Sequence, residues 1–286
     1  MGVHMVIDTT SREGMEKALS SLMRVSVSEL YQYIDAAADL AVKDQGCFYQ
    51  DIFDRTMEDF YSDMIEDMIP DEILFFHLSR RLNGHEKETA YNLRELLTSE
   101  NCFSEFLNTH QIIFRKGTGN KLILCFRGAQ INLEGTMERD ACYLRSRLGY
   151  NACREDFCLN GFAFRDLLMK NHYTQDLQNC PEILTCLERY LRIKDLIKDY
   201  MKKSKYYCFI YRFPIGRVIF DGRDDLTVEK KQLHLLNQVA YRLYQYRVNP
   251  YFLFDHDNPA LRLKNNDNAS VDFLVSTEII TSDMIE

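Results

Sequence analysis

Tryptophan is absent from the 286 residues, and proline (5) and glycine (12) are scarce. So little of either argues against a collagen-like, linker-rich or compositionally disordered chain. No uninterrupted apolar run reaches the length of a membrane helix. No cationic start followed by an apolar stretch marks a signal peptide. Tandem repeats and low-complexity tracts are missing as well. A positive balance is also lacking: 35 Lys+Arg against 43 Asp+Glu leaves a net charge of −8. That excludes a protein that is basic overall and coats nucleic acid, while leaving room for a local basic groove. None of the nine cysteines forms a CxxC pair. The closest group, Cys142, Cys153 and Cys158, has spacings that fit no common zinc pattern, and the histidines are scattered, so no metal is expected. An odd number of unpatterned thiols reads as free cysteine in a reducing, cytoplasmic compartment. The GxGxxG, GxSxG and HExxH motifs are absent, and Gly117-Thr-Gly-Asn-Lys121 lacks the spacing of a phosphate loop.

What is present is an ordinary globular balance, with 46% apolar and 27% charged residues, on a chain long enough to bury a real core. Met15, Leu19, Leu22 and Met23 share one helical face. Ser26-Val-Ser-Glu29 is a capping box opening a second helix. A third helix is expected from about Phe48 to Ile69. Its acidic face carries Asp51, Asp54, Glu58, Asp59, Asp63, Glu66 and Asp67, which an amphipathic helix would solvate. After Pro70 the texture changes. Ile73–His77 reads as a buried strand and Asn92–His110 as helical. Ile112–Phe114 and Leu122–Phe126 flank a hairpin turn, and Ala129–Leu133 is a third strand. Phe157–Phe164 reads as extended, Arg165–Tyr173 and Pro181–Lys203 as helices, and Tyr206–Phe213 as a strand. Leu226–Arg247 is a further helix and Val271–Val275 a late strand. Helices first, then strands mixed with helices, predict an α+β fold. The expected division is a helical unit over 1–70 and an α+β domain over 71–286, with insertions near 111–155 and 175–205. Arg192, Lys194, Lys198, Lys202, Lys203 and Lys205 lie beside Tyr200, Tyr206 and Tyr207, a composition that suits single-stranded nucleic acid through charge and stacking.

Three fragments carry a family resemblance. Leu74-Phe-Phe-His77-Leu-Ser79-Arg80 is an apolar strand ending in His-x-Ser. Asn160-Gly161-Phe162-Ala163-Phe164 is followed at a helical distance by Tyr173. Tyr207–Gly216 and Val271-Asp272-Phe-Leu-Val275 come last, with Glu278 six residues beyond Asp272. In order and rough spacing they resemble the ADP-ribosyltransferase superfamily, both the poly(ADP-ribose) polymerase type and the bacterial toxin type. The resemblance implies a mainly antiparallel split sheet and NAD as substrate. It implies that His77 and Ser79, with Arg80 beside them, orient a ribose. Gly161 would allow close approach, and Phe162, Phe164 or Tyr173 would stack on nicotinamide. A carboxylate would stabilise the oxocarbenium-like transition state. The position matching the family's catalytic glutamate is Asp272, one methylene shorter, and Glu278 is the other candidate. The implied activity is mono-ADP-ribosyl transfer to a protein or nucleic-acid target, in a toxin or anti-phage effector with an antitoxin or regulatory partner and no membrane association. The alternatives are a catalytically inactive NAD-fold interaction module and a nucleic-acid-processing enzyme.

Overall fold

The computed structural model describes residues 5–43, 46–64, 70–151, 155–249, 255 and 257–285. Helices α1 (Arg12–Leu22) and α2 (Val27–Ala41) are followed by a two-residue strand pair, β1 (Val42–Lys43) and β2 (Cys47–Phe48), and by α3 (Gln50–Met64). Then come β3 (Glu72–Leu82), α4 (Leu93–Thr98), α5 (Cys102–Thr109), β4 (Ile112–Lys116), β5 (Leu122–Phe126), β6 (Ala129–Gln130) and α6 (Arg139–Arg147). The chain continues through β7 (Asn160–Phe162), α7 (His172–Asn179), α8 (Glu182–Leu191), α9 (Leu196–Lys203), β8 (Ser204–Pro214) and β9 (Ile219–Phe220). It closes with α10 (Val228–Val248), β10 (Ala260–Arg262) and β11 (Leu274–Ile279). The main sheet has the order β11-β8-β3-β7-β10-β9, and β4-β5-β6 form a second sheet. Every long register is antiparallel. The fold is α+β, as the sequence predicts.

By contacts the chain divides into two units, and each is discontinuous. Unit 1 takes residues 1–76, 162–171 and 212–261; unit 2 takes 77–161, 172–211 and 262–286. In unit 1, α1, α2 and α3 present Met15, Leu19, Leu30, Ile34, Phe53 and Met57 to a core completed by Leu235, Val239 and Leu243 of α10, all at 1% exposure or less. Ser26 and Glu29 make the expected capping box. α3 buries Phe53, Met57 and Tyr61 at i, i+4, i+8 and exposes Asp51, Asp59 and Asp63, while Asp54 and Glu58 are part-buried, accepting from the Gln50 and Asn237 amides, each at 2.7 Å. Residues 65–69, the expected end of that helix, lie outside the described residues, as does Cys153.

Unit 2 holds the β4–β5 hairpin, paired from Ile112↔Phe126 to Lys116↔Leu122, with Gly119 at φ +66 in its turn. Leu107, Leu122, Leu124, Leu144, Leu184 and Leu187 make its core.

Three elements depart from expectation. The helix over 181–203 is split, because Arg192 (φ +52) and Asp195 (φ +65) take left-handed backbone. The Glu188 carboxylate of α8 then accepts from the Ile197 amide at 2.9 Å, supplying the cap that starts α9. Arg165–Tyr173 is not one helix: the Arg165 amide donates to Thr9 carbonyl, a single 3-10 turn covers 168–170, and α7 starts at His172. Val271–Phe273 is a 3-10 turn, capped where the Ser270 hydroxyl accepts from Asp272 N, and the late strand begins only at Leu274.

Candidate functional site

Strand β3 carries the first of the fragments that bear the resemblance. His77 is part-buried, and its Nδ1 lies 2.7 Å from the Asn160 carbonyl of β7. A carbonyl only accepts, so Nδ1 carries the proton and Nε2 keeps its lone pair. Burial, reinforced by the Arg81 charge, lowers the His77 pKa to about 4 against the pull of that carbonyl, so the ring is neutral at pH 7.

Arg81, four residues on and outside the motif, is the surprise. It is 9% exposed, its guanidinium carbon sits 5.2 Å from the Phe209 ring centroid, and Nε has no hydrogen-bond partner. Among the described residues its guanidinium makes no ion pair. A buried cation without an anion is costly. The ring of His77 also faces Phe209, at 6.2 Å. His77, Arg81 and Phe209 therefore share one face of the sheet.

Ser79, two residues along β3 from His77, lies on the same face, and the other positions are held differently. Arg80 is consumed by structure: its guanidinium donates to the Gln178 carbonyl at 2.9 Å and to the hydroxyl and carbonyl of Ser204. Ser79 reaches only its neighbour's carbonyl, at 3.4 Å. Gly161 is buried in β7. Phe162 and Phe164 belong to unit 1. Phe162 pairs with Phe76. Phe164 is 1% exposed, its backbone clamped by the Asn258 side chain and its ring under the Arg242 guanidinium at 5.6 Å, so no ring face is open to nicotinamide. Tyr173, in α7, is 51% exposed.

The two carboxylates separate clearly. Asp272 is exposed, sits in the 3-10 turn rather than a strand, and accepts from the Ser270 hydroxyl at 2.8 Å. Glu278 is part-buried in β11, opposite Cys208 of β8. Neighbours along a strand point to opposite faces. Cys208 adjoins Phe209, so Glu278 leaves the sheet on the face away from His77. That face also carries Tyr206, whose hydroxyl donates to the Thr174 carbonyl of α7 at 3.0 Å. Glu278 thus shares a side with the helix bearing Tyr173, and His77 shares a side with Arg81. The expected single constellation is two half-constellations, one on each face.

The basic stretch does not form a stacking surface. Tyr200, Tyr206 and Tyr207 are at most 3% exposed, so their rings cannot receive bases. Arg127, Arg192 and Lys194 do line one groove with His110 and Phe126.

A third cluster escaped the sequence reading. His85, Glu88 and Cys102 bring donor atoms within 4.8 Å of one another, in unit 2. Their spacing, two residues and then thirteen, matches no zinc motif, so only the fold unites them. Burial and the Glu88 carboxylate push the Cys102 thiol up to about 11, against the Arg81 charge.

No family model, curated protein or solved structure matches this chain. The class stated by the fold is an α+β protein, and among the described residues no helix is long and apolar enough to cross a membrane.

Proposed function

We propose that unit 2 binds a dinucleotide of the NAD type on the face that carries His77 and Arg81, as a binding module without transfer chemistry. The observation that carries this reading is Arg81, nine-tenths buried and lacking an anion among the described residues. A guanidinium in that state suits a pyrophosphate, whose oxygens it meets with paired donors. Neutral His77 offers Nε2 as an acceptor for a ribose hydroxyl. Glu278 leaves the sheet on the opposite face and Asp272 lies in a turn outside it, which supports binding without transfer.

A second reading is mono-ADP-ribosyl transfer to a protein or nucleic-acid target. The shared face of Glu278 and α7, which bears Tyr173, favours it, since nicotinamide departure needs a carboxylate beside the ribose. Glu278, on a strand, then takes the place the sequence offered to Asp272.

Thermal unfolding with millimolar NAD⁺ tests the first reading, because a ligand held by the native state raises the midpoint. The rise should shrink in Arg81→Met and His77→Gln and survive in Glu278→Gln. An unmoved midpoint sinks it. Nicotinamide release that depends on Glu278 and not on His77 would replace it with the second.

A further inference from the structure

We infer that His85, Glu88 and Cys102 form a divalent transition-metal site of zinc type in unit 2, a role that stands whether or not the chain binds NAD. The donor set is an imidazole nitrogen, a carboxylate oxygen and a thiol sulfur, with all three atoms within 4.8 Å of one another. Zinc takes ligands of all three kinds at about 2.0–2.3 Å, so small side-chain rotations close the cluster on one ion. Three protein ligands leave a fourth position open. The mixture of nitrogen, oxygen and sulfur favours zinc over magnesium or calcium, which want oxygen alone.

The surroundings are those of a held site. His85 and Glu88 lie on the turn after β3, and that turn is tied down along its length. Asn83 N–H donates to the Lys203 carbonyl at 2.8 Å, and His85 N–H to the Leu82 carbonyl at 3.2 Å. Glu86 accepts from Gly84 N–H at 3.2 Å and from the Tyr207 hydroxyl at 2.9 Å, and Ala90 bridges Ala269. Cys102 is the first residue of α5, directly after the Asn101 cap, whose side chain accepts from Phe103 and Ser104 N–H and fixes the start of the helix. Pinned backbone on both sides fixes the donors before an ion arrives. All three side chains keep some solvent contact, which leaves an entry path.

Glu88 explains why a cation belongs there. Its Oε1 lies 2.5 Å from His85 Nδ1, and Cys102 lies beside the same carboxylate. A carboxylate, an imidazole nitrogen and a sulfur this close together can all bind one cation. In the proposed state the metal sits between them. On binding, the Cys102 thiol proton passes to solvent as the metal–sulfur bond forms. Arg81 faces Cys102 as well and favours the thiolate.

Cobalt(II) is the probe, added to the full chain after chelation and under a non-thiol reductant. One equivalent should raise a thiolate-to-cobalt charge-transfer band, and zinc should abolish it. Cys102→Ser should lose the band while Cys142→Ser keeps it. His85→Gln and Glu88→Gln should weaken cobalt binding by more than about 100-fold, since an outer-shell loss alone costs roughly 10–100-fold. Zinc should also raise the unfolding midpoint of the native protein and not that of Cys102→Ser. No band at saturating cobalt, or a band that persists in folded Cys102→Ser, overturns the proposal.

Discussion

Arg242 gives the sharpest test of what holds unit 1 together. Its side chain is 1% exposed, and those of Asp166 and Asp255 are 3% and 0% exposed. Nε and Nη2 donate to the two oxygens of Asp166 at 2.9 and 3.1 Å, and Nη2 also meets Asp255. The Tyr246 hydroxyl donates to the same Asp166 oxygen as Nε, at 2.7 Å, and the Asn258 amide to the second Asp255 oxygen, at 2.8 Å. Replacing Arg242 by Met keeps most of the volume and removes the charge, leaving two buried carboxylates together. Breaking a buried pair in this way costs about 3–5 kcal/mol. Against a total stability of roughly 5–15 kcal/mol, that is a large share. At about 2–4 °C per kcal/mol, the unfolding midpoint should fall by roughly 6–20 °C. Adding Asp166→Asn and Asp255→Asn to Arg242→Met neutralises the orphaned groups and should recover at least about 1 kcal/mol, because unpaired buried charge is the main cost. Urea unfolding followed by circular dichroism measures each variant. A loss under about 1 kcal/mol for Arg242→Met, or further loss instead of recovery in the triple variant, refutes the argument.

Other predictions concern single positions. His77 and His234 both have pKa values lowered to about 4, in each case first by burial. Folded values below the unfolded 6.5 mean that their neutral burial is fully tolerated above pH 6.5 and is progressively opposed as pH falls toward 4. Stability should drop across that window by up to about 1.4 kcal/mol per pH unit per histidine, and the His77→Gln/His234→Gln protein should show a shallower slope. An unchanged slope would show that other groups set it. Gly149, at φ +75, would place a β-carbon 2.6 Å from the Asn120 carbonyl oxygen and 2.8 Å from Phe157. Gly149→Ala should therefore cost about 2–4 kcal/mol, and a near-neutral urea midpoint would contradict the packing described. Ser26→Ala removes half of the α2 capping box and should cost about 1 kcal/mol, read as a fall of roughly 2–4 °C in the midpoint.

Periodic segments were legible and conditional ones were not. The β4–β5 hairpin, β8, α10 and the Ser26 cap follow from alternation, helical spacing and local hydrogen bonds, all of which the sequence states directly. The 3-10 turn at Val271–Phe273 was hidden because Val, Phe and Val imitate strand alternation, while the Ser270 hydroxyl decides the backbone. The break at Arg192–Asp195 was hidden because nothing there is a glycine or proline. For the candidate site, His77 was visible as a histidine in an apolar strand, but the expected strand end was not there, since β3 runs on to Leu82. Arg81 was not, since an arginine next to another arginine looks solvated until Phe209 is placed over it. The separation of His77 from Glu278 depends on one residue of register between β11 and β8, which no local pattern encodes. Phe164 illustrates the reverse case: an aromatic in a suggestive motif lies beneath the guanidinium of a buried ion network.

The discontinuous make-up of unit 1 has a cost during synthesis. The Tyr61 hydroxyl finds its acceptor, the Leu236 carbonyl, 175 residues further along the chain. At roughly 5–20 residues per second, the ribosome needs about 10–35 seconds to supply it. Through that interval the apolar faces of α1, α2 and α3 have been made and the helix that covers them has not. A nascent chain in this condition is a client for holding chaperones, and translation rate as well as sequence sets how much of it reaches the native state.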